Sequence, residues 1–384
     1  MARRRLLTVG HSYVISLNRR IAHEMARVGA KEWDVTCVAP RSYHADYRFE
    51  HFSPLADEPC RSLAVPAYAT KHVHVFAYGR ELREIMNEGW DAVYSWEEPY
   101  VLSGYQLAAW TPKNAVFTFL TLQNIRKRYP PPFSWFERKS LERADGWLYC
   151  GHSIYEAQRD KAGYDRRPAR LGALGVDVDV FRPDAEARRR VRASLGFSDD
   201  GRAIVGFVGR FVPEKGLHVL MRALDGVKHP WRALFLGAGP LEPELRRWAE
   251  RYGERVKFAK LAHDEVPAYM NALDLLAAPS ETARHWIEQF GRMLVEAFAC
   301  SVAVIGSDSG EIPFVVGDAG LIAREKDVAA WTRAIEELVG DERRRAELGE
   351  RGLARARREY AWPVVARAYL DFFAELCDRR ATAA

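Results

Sequence analysis

The chain has 384 residues, of which 48% are hydrophobic and 12% aromatic, too long for one ordinary core and too apolar for disorder, so two or three compact domains are expected. Its formal charge of +5, from 57 basic and 52 acidic residues mixed along the chain, is no nucleic-acid signature and leaves only weak attraction to anionic substrates or lipid surfaces. Five cysteines at no metal-ligand spacing read as reduced structural thiols.

The start, MARRRLLTVG, is basic but has neither a sustained apolar region nor a small-residue cleavage site. No stretch of the chain approaches about eighteen apolar residues, so a cytoplasmic protein is expected. Residues 6–10 read as a buried strand, His11 to Leu17 as a loop, and 18–28 as a helix with Asn18 at its N-cap. WDVTCVAP (33–40) is the next strand, making a strand-helix-strand unit of the doubly wound kind. His11 and Ser12 then sit at the carboxyl end of the first strand, where such sheets bind ligands. The loop lacks G-x-G-x-x-G spacing, so a nicotinamide-dinucleotide fingerprint is absent. Helix 80–88, strand 91–96, helix 99–110, strand 115–120, helix 134–143, strand 146–150 and helix 153–162 continue the alternation. Glu97, Glu98, Gln123, Asn124 and His152 fall near their strand ends.

From Arg170 to Pro183 the pattern breaks into LGALGVDVDVFRP, which reads as an interdomain linker. Its Asp177 and Asp179 have a spacing used by some metal-dependent transferases, but no further hard-metal ligands stand nearby, and a polar turn is the simpler reading. A second alternating run starts at Ala203: strand AIVGFVG, loop RFVPEKG, helix 217–224, strand WRALFLG, helix 241–252, RVKFAK, helix 264–272 and LDLLAAP. A polar loop follows, then Glu288-Gln-Phe-Gly291, helical spacing from Arg292 to Cys300, and the strand VAVIG. With a helix starting at about Gly291, Glu288 lies just before its first turn and Glu296 inside it. Between them the N–H groups of Gly291 to Leu294 offer an anion site at the positive end of the helix dipole. A carboxylate inside the helix suits a ribose diol and one at the loop suits sugar hydroxyls, which together describe a nucleotide sugar; an ordinary surface glutamate on an amphipathic helix is the plain alternative. Three helices, about 327–338, 341–358 and 361–378, close the chain, and the aromatic-rich last one needs a surface to pack on.

These residues resemble glycosyltransferase family 4, retaining enzymes of the GT-B fold. FVGRFVPEKG (207–216) is similar to its G-R-x-x-x-x-K-G phosphate segment, LGAGP (236–240) to its G-x-G-P loop, and Glu288 to Glu296 to its E-x7-E. LGVDVDVFRP at the hinge and SDSGEIPFVVGDAGL (307–321) extend the resemblance through 170–325, while QNIRKRYPPPFSWFER (123–138) is similar to one bacterial branch. The resemblance implies an α/β protein of two Rossmann-like doubly wound domains facing a cleft: an acceptor-side domain, 1–175, joined by the C-terminal helix 361–384, and a nucleotide-sugar domain, 176–360. It further implies that Gly209, Arg210 and Lys215 hold the diphosphate, Gly237 and Gly239 permit close backbone approach, and Glu296 takes the ribose. Glu288 would hold the donor sugar, Phe290, Gly291, Arg292 and Met293 would supply backbone donors, and Lys260 and Leu261 would flank the base. Arg210 pairing with Glu214, and Lys215 as a surface charge at a helix start, are the structural alternatives.

The acceptor side departs from the family, since Gln123-Asn124 stands where many relatives have a histidine and an amide is no general base. His11, Ser12, Glu98, Gln123, Asn124 and His152 are the acceptor-side candidates. The expected activity is retaining transfer of a hexose-type sugar from a nucleoside diphosphate sugar to a hydroxyl, in bacterial glycan, glycolipid or glycoconjugate synthesis. Arg210, Lys215, Glu288 and the helix N-terminus would do the work with no metal and no cofactor beyond the donor. An epimerase or phosphorylase of similar fold, or a non-catalytic sugar-nucleotide sensor, are the competing readings. For a lipid-linked acceptor, the arginine-bearing helix at 18–28 is expected to lie on an anionic bilayer at the cytoplasmic face.

Overall fold

The run RRLLTV forms a strand buried on both faces because its neighbours in space are apolar strands too, as the continuous hydrophobic run requires in a parallel sheet. In the computed structural model, which describes residues 2–45, 48–197 and 200–383, the chain divides into two units, Met1–Ala173 with Trp362–Ala384 and Leu174–Ala361. The outermost residues Met1 and Ala384 of the expected domain spans lie outside the described residues.

The first unit is built on β1 (Arg4–Val9), β2 (Trp33–Pro40), β5 (Arg61–Val65), β8 (Ala92–Ser95), β9 (Val116–Thr121), β10 (Gly146–Tyr149) and β11 (Ala169–Leu171), with two small hairpins, β3 (Ser42–Ala45) with β4 (Arg48–His51) and β6 (Ala67–Tyr68) with β7 (Ala77–Tyr78). The seven-stranded sheet runs β11-β10-β9-β8-β1-β2-β5, every pairing parallel. Its helices are α1 (Arg20–Val28), α2 (Arg80–Met86), α3 (Leu102–Trp110), α4 (Phe133–Arg143) and α5 (His152–Gln158). Leu7, Val9, Val93, Phe117, Phe119 and Trp147 form the core of the sheet.

Two expectations fail near the start. Asn18 does not cap α1: its side-chain amide donates to the Ser12 carbonyl at 3.1 Å, inside a 3-10 turn, and the helix begins at Arg20. Nor does the helix offer free arginines to a bilayer. Arg19 is fully buried and paired with Glu58 at 2.9 Å, and Arg20 and Arg27 share the Glu24 carboxylate at 3.1 and 2.5 Å.

The second unit has β12 (Ala203–Val208), β13 (Trp231–Leu236), β14 (Val256–Ala259), β15 (Leu275–Ala278), β16 (Ala303–Ser307) and β17 (Leu321–Ala323), in the order β14-β13-β12-β15-β16-β17, again all parallel. Around it lie α6 (Ala185–Ser194), α7 (Leu217–Gly226), α8 (Glu242–Ala249), α9 (Val266–Asn271), α10 (Arg292–Ala299), α11 (Ile312–Val316), α12 (Val328–Gly340) and α13 (Glu342–Arg355). The helix α6 is started by Asp184, whose side chain accepts from the Ala187 N–H at 2.8 Å. Arg188 and Arg192 then tie α6 to Asp274, just before β15, at 2.5 and 2.7 Å. The last helix, α14 (Trp362–Ala383), belongs to the first unit and packs on α1. Its Tyr369 and Phe373 rings lie 5.6 and 5.3 Å from that of Tyr94, and the Tyr369 hydroxyl donates to the Gly172 carbonyl at 2.9 Å. This is the surface its aromatic residues require. Among the described residues no helix is long and apolar enough to cross a membrane.

Candidate functional site

In an open parallel sheet the chain winds outwards from one strand in both directions, and the loops leaving the two central strands part to open a crevice. In the second unit those strands are β12 and β15, and the loop after each carries the expected residues. Gly209, Arg210 and Lys215 follow β12; the segment from Pro279 to Glu288 follows β15 and leads into α10. Gly237 and Gly239 follow β13, and Lys260 and Leu261 follow β14, on the same rim of the same sheet.

The closeness of these loops explains their small residues. Gly209 donates to the Leu236 carbonyl at 2.9 Å and Phe211 to that of Ala238 at 2.9 Å, so the β12 loop lies directly on the β13 loop. A Cβ on Gly237, at φ 148°, would stand 1.9 Å from the Gly209 carbonyl oxygen. The D-x-D aspartates have a local use, since the Asp177 carboxylate accepts from the N–H groups of Asp179 and Val180 at 3.1 and 3.3 Å, the bonding of a polar turn.

Lys215 is no surface charge. It sits in a 3-10 turn before α7, its ammonium 2.5 Å from Glu288 Oε2 and 4.7 Å from the centroid of the Trp286 ring. The same carboxylate oxygen accepts from the Ser280 hydroxyl at 2.8 Å, and Ser307 in turn donates to the Ser280 carbonyl at 2.6 Å. Gly310 lets its segment pass close by: its φ is 56°, and a Cβ there would lie 2.2 Å from the Glu288 carbonyl oxygen. That carbonyl accepts the Glu311 N–H at 3.1 Å. Arg210, in contrast, is exposed, and its guanidinium has neither the expected alternative partner Glu214 nor any other among the described residues.

The helix α10 begins one residue after Gly291. The expected row of free N–H groups is one shorter than the sequence suggests, because Leu294 already donates to the Gly291 carbonyl at 2.9 Å. Those of Gly291, Arg292 and Met293 have no acceptor among the described residues, and the helix dipole points at them. Phe290 is buried, its ring 5.8 Å from that of Tyr360. One turn into the helix, Glu296 is 7% exposed and its carboxylate has no hydrogen-bond partner among the described residues. Burial pushes its pKa up to about 7, opposed by the Arg292 guanidinium.

The first unit has its own crevice, between the loops that leave β1 and β8. A cavity of about 180 Å³ there is lined by His11, Ser12, Trp96, Glu97, Glu98 and Tyr100, among others. Glu97, 1% exposed, accepts from the His11 N–H and from His11 Nδ1, both at 2.6 Å, and from the Tyr78 hydroxyl at 2.7 Å. The Ser12 hydroxyl is buried without a partner among the described residues. Glu98 accepts from Thr121 Oγ1 and the Leu122 N–H at 2.8 and 2.7 Å, and burial pushes its pKa up to about 7 against those two bonds. Gln123 is spent on packing, donating to the Tyr129 hydroxyl at 2.9 Å and accepting from Gln158 at its carbonyl at 2.7 Å. Asn124 is buried beside it, and His152 is exposed at the start of α5; neither lines the cavity.

The sequence marked the pair Glu97-Glu98, and both line the cavity; that Glu97 is the one holding His11 is something a pair of glutamates after a strand does not reveal. Ser280 and Trp286 carried no signal of their own, and Gly310 stood in the SDSGEIP segment without a role assigned to it. Burial works to lower the His11 pKa, and the Glu97 carboxylate outweighs it, so the imidazole is held above its ordinary value. We expect proton NMR to place the His11 midpoint above 6.5 in the wild type. In Glu97→Gln, with burial opposed only by the nearby Glu98, it should fall; equal midpoints would mean that the carboxylate does not govern the ring.

Residues 189–355 match the model of the family described as "Glycosyl transferases group 1". The chain is 37% identical over 198 residues to a GDP-mannose-dependent alpha-(1-6)-phosphatidylinositol monomannoside mannosyltransferase of Mycolicibacterium smegmatis, covering 49% of this chain and 51% of that one. It is 32% identical over 262 residues to a D-inositol 3-phosphate glycosyltransferase of Mycobacterium bovis, covering 65% and 51%. The chain thus spans about half the length of the curated relatives it matches. The crystal structure of a glycosyltransferase from Rickettsia africae superposes with a TM-score of 0.76 at 15% identity, over 98% of this chain and 99% of that one. That likeness shows the fold, two Rossmann-like domains of the GT-B class.

Proposed function

Because residues 189–355 match the model of the group 1 glycosyl transferases, we propose that this chain moves a hexose-type sugar from a nucleoside diphosphate sugar to a hydroxyl acceptor, with retention at the anomeric carbon. The observation that carries the reading is Glu296, a buried carboxylate without a hydrogen-bond partner among the described residues, placed one turn behind three unused N–H groups. A vicinal diol donates two O–H bonds to such a carboxylate, and a diphosphate accepts from the N–H groups at a helix start. Arg210 adds a guanidinium free to clasp a phosphate, and Glu288, already fixed by Lys215 and Ser280, orients the hydroxyls of the sugar.

In the transfer step the bond between the anomeric carbon and the phosphate oxygen breaks, its electron pair staying with the diphosphate. The acceptor oxygen forms the new bond on the same face and passes its proton to the departing phosphate oxygen. Negative charge grows on the diphosphate as this happens. Lys215 and the α10 N-terminus are preorganised to stabilise it and Arg210 is free to close on it, so the chemistry asks no metal of the protein. In the first unit, the unpartnered Ser12 hydroxyl and the His11–Glu97 pair set a few polar groups into a mainly apolar cavity wall, where they would meet the hydroxyl of an acceptor.

The donor named for one relative is GDP-mannose, so GDP and UDP head the panel for calorimetry, followed by acceptor-dependent release of free diphosphate from the matching nucleotide sugar. Isomerisation without acceptor, or binding without turnover, would sink the transfer. Arg210→Ala should weaken diphosphate binding by roughly ten- to a hundredfold, the value of a charge-assisted bond, while chelator leaves turnover intact. Strict dependence on a divalent ion, restored by adding it back, would return Asp177 and Asp179 to the site.

A further inference from the structure

A thiol adds little to a hydrogen-bond network, so its place beside one is informative. At the edge of the first sheet, between α1 and β5, three side chains of different chemistry converge. The donor atoms of His23, Glu58 and Cys60, a ring nitrogen, a carboxylate oxygen and a sulfur, all lie within 4.8 Å of one another. Spacing along the chain hides the group, because His23 on α1 stands 35 positions from Glu58. His23 is 2% and Cys60 9% exposed, and the Glu58 side chain 9%.

The two oxygens of Glu58 face different neighbours. Oε1 accepts from Arg19 at 2.9 Å and from the Leu55 N–H at 3.2 Å. Arg19 is itself fixed, donating to the carbonyls of Tyr13 and Ser53 at 2.8 and 2.7 Å, so it holds the carboxylate in one orientation, as outer partners of metal-bound carboxylates do. Oε2 turns the other way, 3.0 Å from His23 Nε2 and bonded to the Ser62 hydroxyl. Cys60 Sγ stands at the third corner, with a 3.7 Å contact to that same hydroxyl. Two ligands of one tetrahedral ion, at bonds of about 2.0–2.1 Å, stand about 3.3 Å apart. The His23–Glu58 pair therefore needs to open only slightly to take one.

We propose that His23, Glu58 and Cys60 hold a zinc ion that fastens α1 to the approach to β5, with the Ser62 hydroxyl or a water as fourth neighbour. Nitrogen, sulfur and oxygen donors together suit zinc, whereas magnesium and calcium take oxygen alone. On binding, the Cys60 thiol gives its proton to solvent and the thiolate takes the metal. The exposed turn 53–57, next to Glu58 in the chain, leaves the ion a way in. None of the three residues lines the cavity at the β1–β8 crevice, so the role is structural. The ion ties down the ends of the segment between His23 and Glu58, whose regular structure beyond β2 is a small hairpin with little to hold it. This site is independent of the transferase reading.

The test is titration of the full chain, stripped with chelator and desalted, with zinc and separately with cobalt(II). Wild type should take up one equivalent of either, show a thiolate-to-cobalt charge-transfer band, and melt several degrees higher with zinc than without. Cys60→Ser should lose the band. Both Cys60→Ser and His23→Gln should lower zinc affinity by at least about a hundredfold, beyond the loss of an outer partner. Without metal, each should melt close to the stripped wild type, which separates a lost ligand from a lost fold. Cys377→Ser, which removes the one cysteine that is not buried, should keep band and affinity. Absence of a cobalt band in wild type, a band surviving Cys60→Ser, a band lost with Cys377→Ser, or an equal response to magnesium would each overturn the proposal. Turnover, assayed where the stripped protein stays folded, should be the same with and without zinc; its loss on stripping would overturn the structural role.

Discussion

Glu296→Gln is expected to make the free protein more stable at pH 8 and, at the same time, a poorer binder of nucleotide. The carboxylate is 7% exposed and has no hydrogen-bond partner among the described residues, and burial raises its pKa from 4.5 to about 7. Between those two values the folded state holds a proton that the unfolded state has released, so stability falls as pH rises through that window. Above about pH 7 the cost is complete, on the order of 3 kcal/mol. Glutamine carries no such cost, and no protein donor loses its acceptor in the exchange. The melting temperature of the variant should therefore exceed that of the wild type by several degrees at pH 8, with the gap closing towards pH 4.5. Nucleotide affinity should drop about ten- to a hundredfold, because an amide accepts a diol less strongly than a carboxylate does. Scanning calorimetry across pH and titration with free diphosphate give the two readings. A lower melting temperature at pH 8 would mean that Glu296 has a structural partner; unchanged affinity would remove it from the ribose.

Lys215→Ala should have the opposite effect on stability. Lys215 and Glu288 are 13% and 9% exposed, and their ends meet at 2.5 Å. Taking away the cation leaves a carboxylate largely out of water without its counter-charge, which typically costs about 3–5 kcal/mol. The single variant alone cannot separate a lost fold from a lost phosphate contact. Lys215→Met/Glu288→Gln removes both charges and keeps most of the volume, so it should recover much of the denaturation midpoint while diphosphate affinity and turnover stay low. Recovery of stability together with affinity would make the pair purely structural. Glu288→Gln by itself should bind free diphosphate almost normally and lose mainly turnover, since its place is at the sugar.

The alternation of strand-like and helix-like runs was enough to read two doubly wound parallel sheets, because fully buried strands must be apolar throughout and helices must repeat every three to four residues. The segment 41–79 escaped that reading. Its hairpins and its edge strand β5 are short and half-exposed, so they carry no period long enough to see. The motif residues on the second sheet were legible for a similar reason: Arg210, Lys215, Glu288 and Glu296 lie close to strand ends and a helix start that the pattern itself locates. Sequence spacing therefore determined which residues share the rim of a sheet. Only the tertiary structure decided what each one meets there. It joined Lys215 to Glu288 across 73 positions, left Arg210 and Glu296 without side-chain partners among the described residues, and chose Glu97 over Glu98 to hold His11. It also buried Arg19 and paired Arg20 and Arg27 on the helix that charge alone marked as a membrane contact. Charge and periodicity are properties of a segment, but pairing depends on which segments the sheet order brings side by side, and the strand order β8-β1-β2 and β12-β15 follows from no local pattern.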